Sequence, residues 1–328
     1  MNSTAIKSIA IFAPRGGPLT SVSGPLEMLA LANSLVAKEQ RLHVSIVSEN
    51  AQPLPCLGGL ELQGASSIEV SRRYDCIVIG AIGQPNERSL NFDPKTLVWL
   101  RQQHQQGARL VSVCTGAFLL AATGVLDGVS ATTHWATSEA FQRLYPKVRL
   151  DCSQMITREN DLWCSGGASS YQDITLMLIR NDYGDLVAEQ VAKLMLIDLD
   201  RISQLKYMHF MPSRQHQDTV IHQVQDALEQ QWKHASVAGL AEGVHLSERQ
   251  FKRRFKQATG KAPLEYLQAL RIEQAKRLLS KSNDSVEQIA LSVGYEDVRF
   301  FRKLFKRTVG VAPSEYRDQS VFHLSGRR

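Results

Sequence analysis

The stretch SVEQIA at residues 285–290 repeats the stretch SVAGLA at residues 236–241 at an offset of 49 residues. The offset becomes 50 from Phe251 onward, and the match ends with GKAP at residues 260–263 and GVAP at residues 310–313. A fixed period that carries the same apolar pattern indicates one supersecondary unit used twice.

Each copy of this unit predicts two helices joined by a short turn. The S-x-x-Q spacing at Ser247 and at Ser285 is typical of a capping box and marks a helix start. We expect the turn at Gly243 in the first copy and at Gly294 in the second. The second helix of each copy carries Phe at positions i and i+4, which places both rings on the inward face. Residues 264–279 are predicted to form one helix that sets the distance between the copies.

The outward face of each second helix is basic. Its cations are Arg249, Lys252, Arg253 and Lys256 in the first copy and Arg299, Arg302, Lys303 and Lys306 in the second. Arg and Lys on such a face reach guanine edges and phosphates in the DNA major groove. A solvated basic face is the alternative for one helix alone, but two copies at a fixed period favour DNA binding. We expect all of these residues except Lys256 and Lys306 to contact DNA.

Residues 217–317 resemble the paired helix-turn-helix domain of AraC/XylS-type transcription regulators. The second copy, which ends in GVAPSEYR at residues 310–317, carries the most specific match. The resemblance implies a double-stranded DNA operator as a partner and activation through contact with RNA polymerase, with repression left open. Sensors of this kind mostly work as homodimers, which suits a symmetric or repeated operator.

Charge is distributed unevenly along the 328 residues, a length that suits about two domains. Residues 215–328 carry 19 Lys and Arg against 13 Asp and Glu, so they hold the whole net charge of +6, whereas residues 1–214 are balanced at 19 against 19. No run of about 18 apolar residues predicts a membrane span. The start lacks a signal-peptide pattern, and five scattered cysteines argue against a disulfide framework. We therefore expect a cytoplasmic protein.

The amino-terminal part alternates short apolar strands with helices over about 180 residues. Strands are predicted near residues 8–13, 44–47, 76–79 and 110–113, and Pro25 is expected to open a helix that runs to about residue 37. This pattern predicts an α/β fold of the flavodoxin-like kind, in which helices cover both faces of a parallel sheet.

Ligands in such folds bind at the carboxyl ends of the strands. Cys114 follows one of these strands, at a strand-to-helix turn where helix amides are expected to lower the pKa of a thiol. His134 comes 20 residues later, and Gly83 follows another strand, where backbone amides can approach a ligand closely. On spacing alone, chance is the default explanation for the Cys and His pair.

Residues 8–180 resemble the PfpI/class I glutamine amidotransferase-like fold, in the form joined to AraC-type domains in GlxA-type regulators. The match rests mainly on VCTGAFLLA at residues 113–121 and ATTHW at residues 131–135. The resemblance places Cys114 and His134 where enzymes of that fold have their Cys and His. Catalytic relatives carry a carboxylate where this chain has Ser21, so no catalytic residue is predicted.

We interpret the site instead as a pocket for a small-molecule metabolite. Its expected residues are Ser21, Gly83, Cys114, Thr115, His134 and Trp135. Whether Cys114 contacts the ligand or is only a small buried residue stays open. No metal ligand and no cofactor are predicted.

The sequence thus predicts an effector-sensing and dimerisation domain at residues 1–211, a linker at 212–218 and a DNA-binding domain at 219–328. Apolar residues at helical spacing in residues 186–198 either close the sheet or pair with a second copy of the chain. The predicted function is a DNA-binding transcription regulator controlled by a metabolite. The alternatives are a Cys-dependent amidase or glyoxalase-like enzyme that carries a DNA-binding domain, and an architectural DNA-binding protein without an effector.

Overall fold

The computed structural model of the chain describes residues 7–69, 72–199, 201–212, 214 and 216–319. The chain divides into two compact units, Met1–Gln204 and Leu205–Arg328. The boundaries at residues 211 and 219 remain predictions, and positions 213 and 215 of the expected linker lie outside the described residues.

The amino-terminal unit alternates strands and helices. Its strands are β1 Ser8–Phe12, β2 His43–Ser48, β3 Leu54–Pro55, β4 Glu61–Leu62, β5 Ser66–Ser67, β6 Cys76–Ile79, β7 Arg109–Val113, β8 Ser130–Ala131, β9 Arg149–Leu150, β10 Ile156–Glu159 and β11 Leu162–Ser165. Its α-helices are α1 Thr20–Ser34, α2 Pro94–Gln105, α3 Gly116–Ala122, α4 Ser138–Leu144, α5 Tyr171–Tyr183 and α6 Asp185–Leu194. Short 3-10 helices occur at Lys38–Gln40, Trp135–Thr137 and Ala168–Ser170.

Seven strands form one sheet in the order β10–β11–β7–β6–β1–β2–β5. Strand β10 pairs antiparallel with β11, and the other neighbours pair in parallel. In the centre, Ile11 of β1 lies opposite Ile46 of β2 and Val78 of β6. The carboxyl ends of β1, β6 and β7 therefore meet at one edge of the sheet. This arrangement confirms the predicted α/β class.

Two apolar layers enclose the sheet because side chains of a strand alternate between its faces. Ile9 and Ile11 pack against α1, α5 and α6. Ala10 and Phe12 point the other way, toward α2, α3 and α4. All four residues are at most 1% exposed, which explains why β1 has a continuous apolar sequence instead of an alternating one.

Helix α1 begins five residues before the proline that we expected to open it, so that prediction is wrong. Pro25 lies in the second turn of Thr20–Ser34, where it has no N–H to donate to the carbonyl of Ser21. The first turn forms because the Ser21 amide donates to the Pro18 carbonyl at 3.1 Å. The early start brings Ser21 into the helix and fixes its side chain against the sheet edge.

The carboxy-terminal unit is helical. Its elements are a 3-10 helix at Leu205–Tyr207 and the helices α7 Thr219–Gln231, α8 Val237–Gly243, α9 Glu248–Thr259, α10 Pro263–Lys281, α11 Val286–Ser292, α12 Val298–Val309 and α13 Pro313–Gln319. Helices α8–α9 and α11–α12 are the two predicted copies, and α10 is the single helix between them. One apolar core surrounds each copy, and Trp232 packs against both. Within the described residues, no helix has the length and apolar character that a membrane span requires.

Candidate functional site

Side-chain caps start the helices of both copies at the predicted places. Ser247 accepts from the amide of Gln250 at the start of α9, and the Gln250 side chain accepts from the Ser247 amide in return. Ser285 and Gln288 form the same box at the start of α11. Reciprocal caps satisfy amides that a helix start leaves unpaired. They fix where each short helix begins.

Two buried phenylalanines orient each second helix. Phe251 and Phe255 of α9 and Phe301 and Phe305 of α12 have no exposed surface. Their ring centroids lie 5.5 Å apart in α9 and 5.8 Å apart in α12. Because residues four positions apart share one helical face, these pairs confirm the predicted inward side. The opposite face of each helix is thereby turned to solvent.

The turn of each copy contains one residue in the left-handed conformation. This residue is Gly294 in the second copy, with φ of 86°. In the first copy it is His245, with φ of 56°, which the offset of 49 residues aligns with Gly294. Our prediction of Gly243 as the turn residue is wrong, because Gly243 is the last residue of α8. A Cβ costs about 1–2 kcal/mol in this conformation, so the first copy bears a strain that the second avoids.

The six cations expected to bind DNA are exposed on the faces opposite the phenylalanines. They are Arg249, Lys252 and Arg253 on α9 and Arg299, Arg302 and Lys303 on α12. Lys252 pairs with Glu248 one turn earlier, at 2.6 Å, and Arg302 pairs with Glu287 of α11. Surface pairs of this kind are weak and exchange readily with other anions.

Arg271 of α10 connects the two copies, a role that the sequence did not indicate. Its Nη2 donates to the carbonyls of Lys233 at 2.9 Å and Ala235 at 3.1 Å, which lie between α7 and α8. Its Nε donates to Trp232 at 3.3 Å, and its Nη1 donates to Gly294 in the turn of the second copy at 3.4 Å. A planar guanidinium can hold several carbonyls at fixed angles. Arg271 therefore fixes the second copy relative to the start of the first.

In the amino-terminal unit, Cys114 occupies a strained turn between β7 and α3. Its φ is 55°, an uncommon value for a residue with a Cβ. The turn packs so closely that a Cβ on Gly116 would lie 2.7 Å from the carbonyls of Ile79 and Gly80. Thr133 Oγ1 donates to the Cys114 carbonyl at 3.0 Å. The predicted strand-to-helix turn at Cys114 is therefore present.

The thiol of Cys114 is not activated as we expected. Burial raises its pKa to about 11, and the lowering effect of hydrogen bonds from Thr115 does not offset this. Cys114 is 5% exposed, so water does not stabilise a thiolate there. The amide of Thr115 lowers this pKa as expected, but desolvation outweighs its effect, so the net shift is upward.

Three other expected pocket residues line the same edge. The Ser21 hydroxyl, 1% exposed, donates to the Pro18 carbonyl at 2.7 Å and accepts from the Ala81 amide at 3.0 Å. Thr115 Oγ1 accepts from the next amide, that of Ile82, at 3.2 Å. Gly83 follows with φ of 77°. Ser21 and Thr115 thus hold two consecutive amides of the loop after β6.

His134 and Trp135 follow directly after the threonine that contacts Cys114. His134 Nδ1 accepts from the Ala136 amide at 3.1 Å, which places the proton of the neutral ring on Nε2. Partial burial lowers the pKa of His134 below its ordinary value. The ring centroids of His134 and Trp135 lie 5.5 Å apart. A neutral, half-buried imidazole suits hydrogen bonding to a ligand better than charge pairing.

Gln204 also belongs to this site, although no sequence pattern indicated it. It is 1% exposed, and its Oε1 accepts from the Trp135 amide at 3.3 Å. Its Nε2 donates to the Thr133 carbonyl at 3.0 Å. These partners lie about 70 positions earlier in the chain, so no local pattern could have revealed them.

Comparison with known proteins supports both halves of this description. Residues 9–180 match the model of the DJ-1/PfpI family, and residues 240–319 match the model of a helix-turn-helix domain. The HTH-type transcriptional regulator GbdR of Pseudomonas aeruginosa is 26% identical over 92% of this chain and 81% of its own length. Similarity that spans both units confirms the predicted combination of domains.

Two further relatives resemble the amino-terminal part. An isonitrile hydratase of Pseudomonas putida is 29% identical over 55% of this chain and 72% of its own length. The crystal structure of a putative transcriptional regulator from Vibrio parahaemolyticus covers 58% of this chain and 99% of its own, with 25% identity and a TM-score of 0.54. The fold is therefore found both in an enzyme and in a putative regulator.

Proposed function

Because the chain belongs to the DJ-1/PfpI family and ends in an AraC-type helix-turn-helix domain, we propose that it is a cytoplasmic transcription activator controlled by a metabolite. The carboxy-terminal unit binds a double-stranded operator and brings RNA polymerase to the promoter. The amino-terminal unit binds the metabolite near Cys114. Control requires that the metabolite bind two states of the protein with different affinity.

The observation that carries the proposal is the pair of exposed basic helices held by one spacer. Helix α10 has 19 residues and is therefore about 28 Å long at 1.5 Å per residue. Major-groove segments on one side of DNA recur about every 34 Å. A spacer of this length is compatible with the insertion of α9 and α12 into two successive major-groove segments on one face of the duplex.

The cations on these helices divide into two testable classes. We expect Arg253 to read a base edge, so Arg253→Ala should cost about 1–3 kcal/mol of binding and relax specificity at one operator position. We expect Lys303 to contact phosphate, so Lys303→Ala should weaken all sequences evenly and reduce the salt slope by about 1. Titrations of the operator and of a shuffled duplex at several salt concentrations measure both effects. Unchanged binding by both variants would refute this assignment.

A metabolite site at the sheet edge has physical support. Strained backbone at Cys114, polar groups of Ser21 and Thr115, and the neutral ring of His134 converge where parallel strands end. Ligands of open α/β folds bind at this edge. Because the Ser21 hydroxyl is already bonded on both sides, we expect the ligand to contact His134 and Trp135 more closely than Ser21.

We also propose that the protein is a homodimer through its amino-terminal unit. Helix α6 buries Ala188 and Val191 in the core but leaves Leu186 78% and Leu194 62% exposed, followed by Leu196 at 92%. Three such exposed leucines within residues 186–196 favour a surface that a partner covers. Sedimentation should give a dimer for the protein and a monomer for Leu186→Asp. A monomeric wild-type protein would exclude this interface.

The experiment that tests the main proposal is selection of sheared genomic DNA by the purified protein at near-physiological salt. Recovery of a few sites with a shared motif, in blocks about one helical turn apart, is the expected result. Uniform retention that disappears with added salt would mean that binding is only electrostatic, and the regulator proposal would fail.

The second candidate is a Cys-dependent enzyme, which the strained turn at Cys114 and the similarity to an isonitrile hydratase favour. The raised pKa of Cys114 and the hydroxyl at Ser21 argue against it. Iodoacetamide at neutral pH distinguishes the two, because an activated thiol reacts faster than a free one. We expect Cys114 to react far more slowly than free cysteine.

A further inference from the structure

Phe300 is an exposed aromatic side chain in the first turn of α12. It is 44% exposed, whereas the ring of Phe301 beside it is buried in the core of the second copy. Single exposed apolar side chains are common on protein surfaces, so exposure alone assigns no role. The position of Phe300 is more informative, because the first residues of the second helix in a helix-turn-helix unit contact base edges.

The start of α12 does not require an aromatic residue at position 300. The offset of 50 residues aligns Phe300 with Gln250, whose side chain belongs to the capping box of α9. In α12 the cap is Asp297, whose carboxylate accepts from the amides of Arg299 at 2.8 Å and Phe300 at 3.0 Å. This one carboxylate satisfies both amides, so the side chain at position 300 is not needed for capping.

The ring of Phe300 packs on Tyr295, which directly follows the turn glycine of the second copy. The two ring centroids lie 6.0 Å apart, at an interplanar angle of 44°. Tyr295 is buried, and its ring centroid lies 5.6 Å from that of Phe301 and 5.5 Å from the guanidinium of Arg271. Its amide donates to the Ala290 carbonyl at 2.9 Å. Because Tyr295 is held from several sides, Phe300 loses little freedom when a ligand covers its other face.

Cations predominate around Phe300 on the exposed side of α12. Arg299 precedes it, and Lys303 and Arg307 follow three and seven positions later, on the same side of the helix. Glu296, in the adjacent turn, is exposed as well. A protein surface that covered the ring would have to bury these charges, which is costly. DNA can cover ring and cations together, because phosphates pair with the cations and the major groove presents an apolar group, the 5-methyl of thymine.

We propose that Phe300 reads the 5-methyl group of a thymine in the operator, as an apolar base contact beside the polar ones of α12. This role rests on the proposed function, because α12 must enter the major groove for the contact to form. The operator then carries a T·A pair at the position that Phe300 covers. Gln250, at the equivalent position of the first copy, is held in its capping box and makes no such contact.

Uracil in place of thymine tests this contact, because the two bases differ only in the 5-methyl group. The probe is the operator duplex recovered by genomic selection, with each thymine replaced in turn and each duplex titrated with the full-length protein. Replacement at the contacted position should weaken binding by the wild-type protein about fourfold, which corresponds to the loss of about one buried methyl group. The same replacement should change binding by Phe300→Ala less than about 1.5-fold, since the two changes remove the same contact.

Lys303→Ala is the matched control on the same helix. We expect this variant to weaken operator binding through the loss of a phosphate contact, and yet to keep the penalty of about fourfold for uracil. Weaker binding alone would therefore not explain the response of Phe300→Ala.

A second variant guards against loss of folding. Phe300→Gln introduces the residue that the first copy carries at this position, where a helix of the same kind accommodates it. It should bind a shuffled duplex within about twofold of wild type, because binding of that duplex is electrostatic. It should also lose the penalty for uracil.

An equal penalty for uracil in the wild type and in both Phe300 variants would overturn the thymine contact, and so would the absence of any penalty in the wild type. If the variants bind the operator like wild type but no longer support transcription by purified RNA polymerase, the ring contacts a protein, and the thymine contact is again overturned. A wild-type protein that binds the operator and the shuffled duplex equally would instead refute the proposed function.

Discussion

Replacing Gly294 by Ala should damage the carboxy-terminal unit far more than the same change at Gly260. Both glycines are left-handed, with φ of 86° and 76°. A Cβ on Gly260 would meet nothing within 4 Å, whereas one on Gly294 would lie 2.5 Å from the carbonyl of Lys233. An alanine at either position therefore bears the same cost of a left-handed backbone, but only at Gly294 does its Cβ collide with a neighbouring group.

The magnitude follows from these contacts. An alanine in the left-handed conformation destabilises the folded state by about 1–2 kcal/mol. Alanine also lowers the entropy of the unfolded chain, which stabilises the protein by about 0.4–1 kcal/mol. Gly260→Ala should therefore lower the free energy of unfolding by about 1 kcal/mol. At Gly294 the Lys233 backbone must also move away from Arg271, which donates to it at 2.9 Å. Loss of a hydrogen bond from a charged donor adds about 1.5–3 kcal/mol. Gly294→Ala should therefore cost about 2.5–4 kcal/mol.

Native-state hydrogen exchange of the full chain, read in peptides of α10, measures both free energies of unfolding. This readout avoids the tryptophans of the amino-terminal unit, which would mix two unfolding transitions in a fluorescence experiment. A difference below about 1 kcal/mol between the variants would refute the reasoning, because steric contact at Gly294 would then be relieved without loss.

Two further outcomes follow from the strained residues. His245→Gly should stabilise the carboxy-terminal unit by about 0.5–1 kcal/mol, because relief of the left-handed strain exceeds the cost of the added entropy that glycine gives the unfolded chain. Hydrogen exchange in peptides of α9 at increasing urea concentrations measures the change in the free energy of unfolding. A destabilised variant would contradict the prediction. Alkylation of Cys114 by iodoacetamide should rise about tenfold per pH unit up to about pH 11, because only the thiolate reacts and its pKa is raised to about 11. A plateau near pH 7 would show an activated thiol.

Features of the fold that depend on residues close together in the chain were predictable from the sequence. The capping boxes at Ser247 and Ser285 and the inward phenylalanines depend on residues three or four positions apart, so pattern alone located the helices of both copies. The parallel sheet was predictable for a similar reason, because strands buried on both faces have continuous apolar sequences.

Features that depend on contacts between residues distant in the chain were not predictable from the sequence. Pro25 is tolerated within α1 because Met28 and Leu29 bury the helix against the sheet, which its own sequence does not indicate. The pKa of Cys114 depends on the packing around it, and Gln204 reaches partners about 70 positions away. A short apolar strand followed by Cys cannot reveal how much water reaches the thiol.

Residues 208–210 are anchored on α10, where Lys276 donates to the Met208 carbonyl at 2.6 Å and Glu273 accepts from His209 and Phe210. This anchoring governs how the DNA-binding unit can be prepared as a separate fragment. Cleavage just before residue 219 would remove the Met208 carbonyl and the donor groups of His209 and Phe210, and would thereby expose the Lys276–Glu273 ion pair. It would also expose the face of Tyr266 against which Phe210 packs, with the two ring centroids 4.9 Å apart. Such a fragment would expose a surface that is covered in the full chain, so we expect it to aggregate when it is concentrated. One that begins at Leu205 keeps these groups covered and is the better starting point for crystals with DNA.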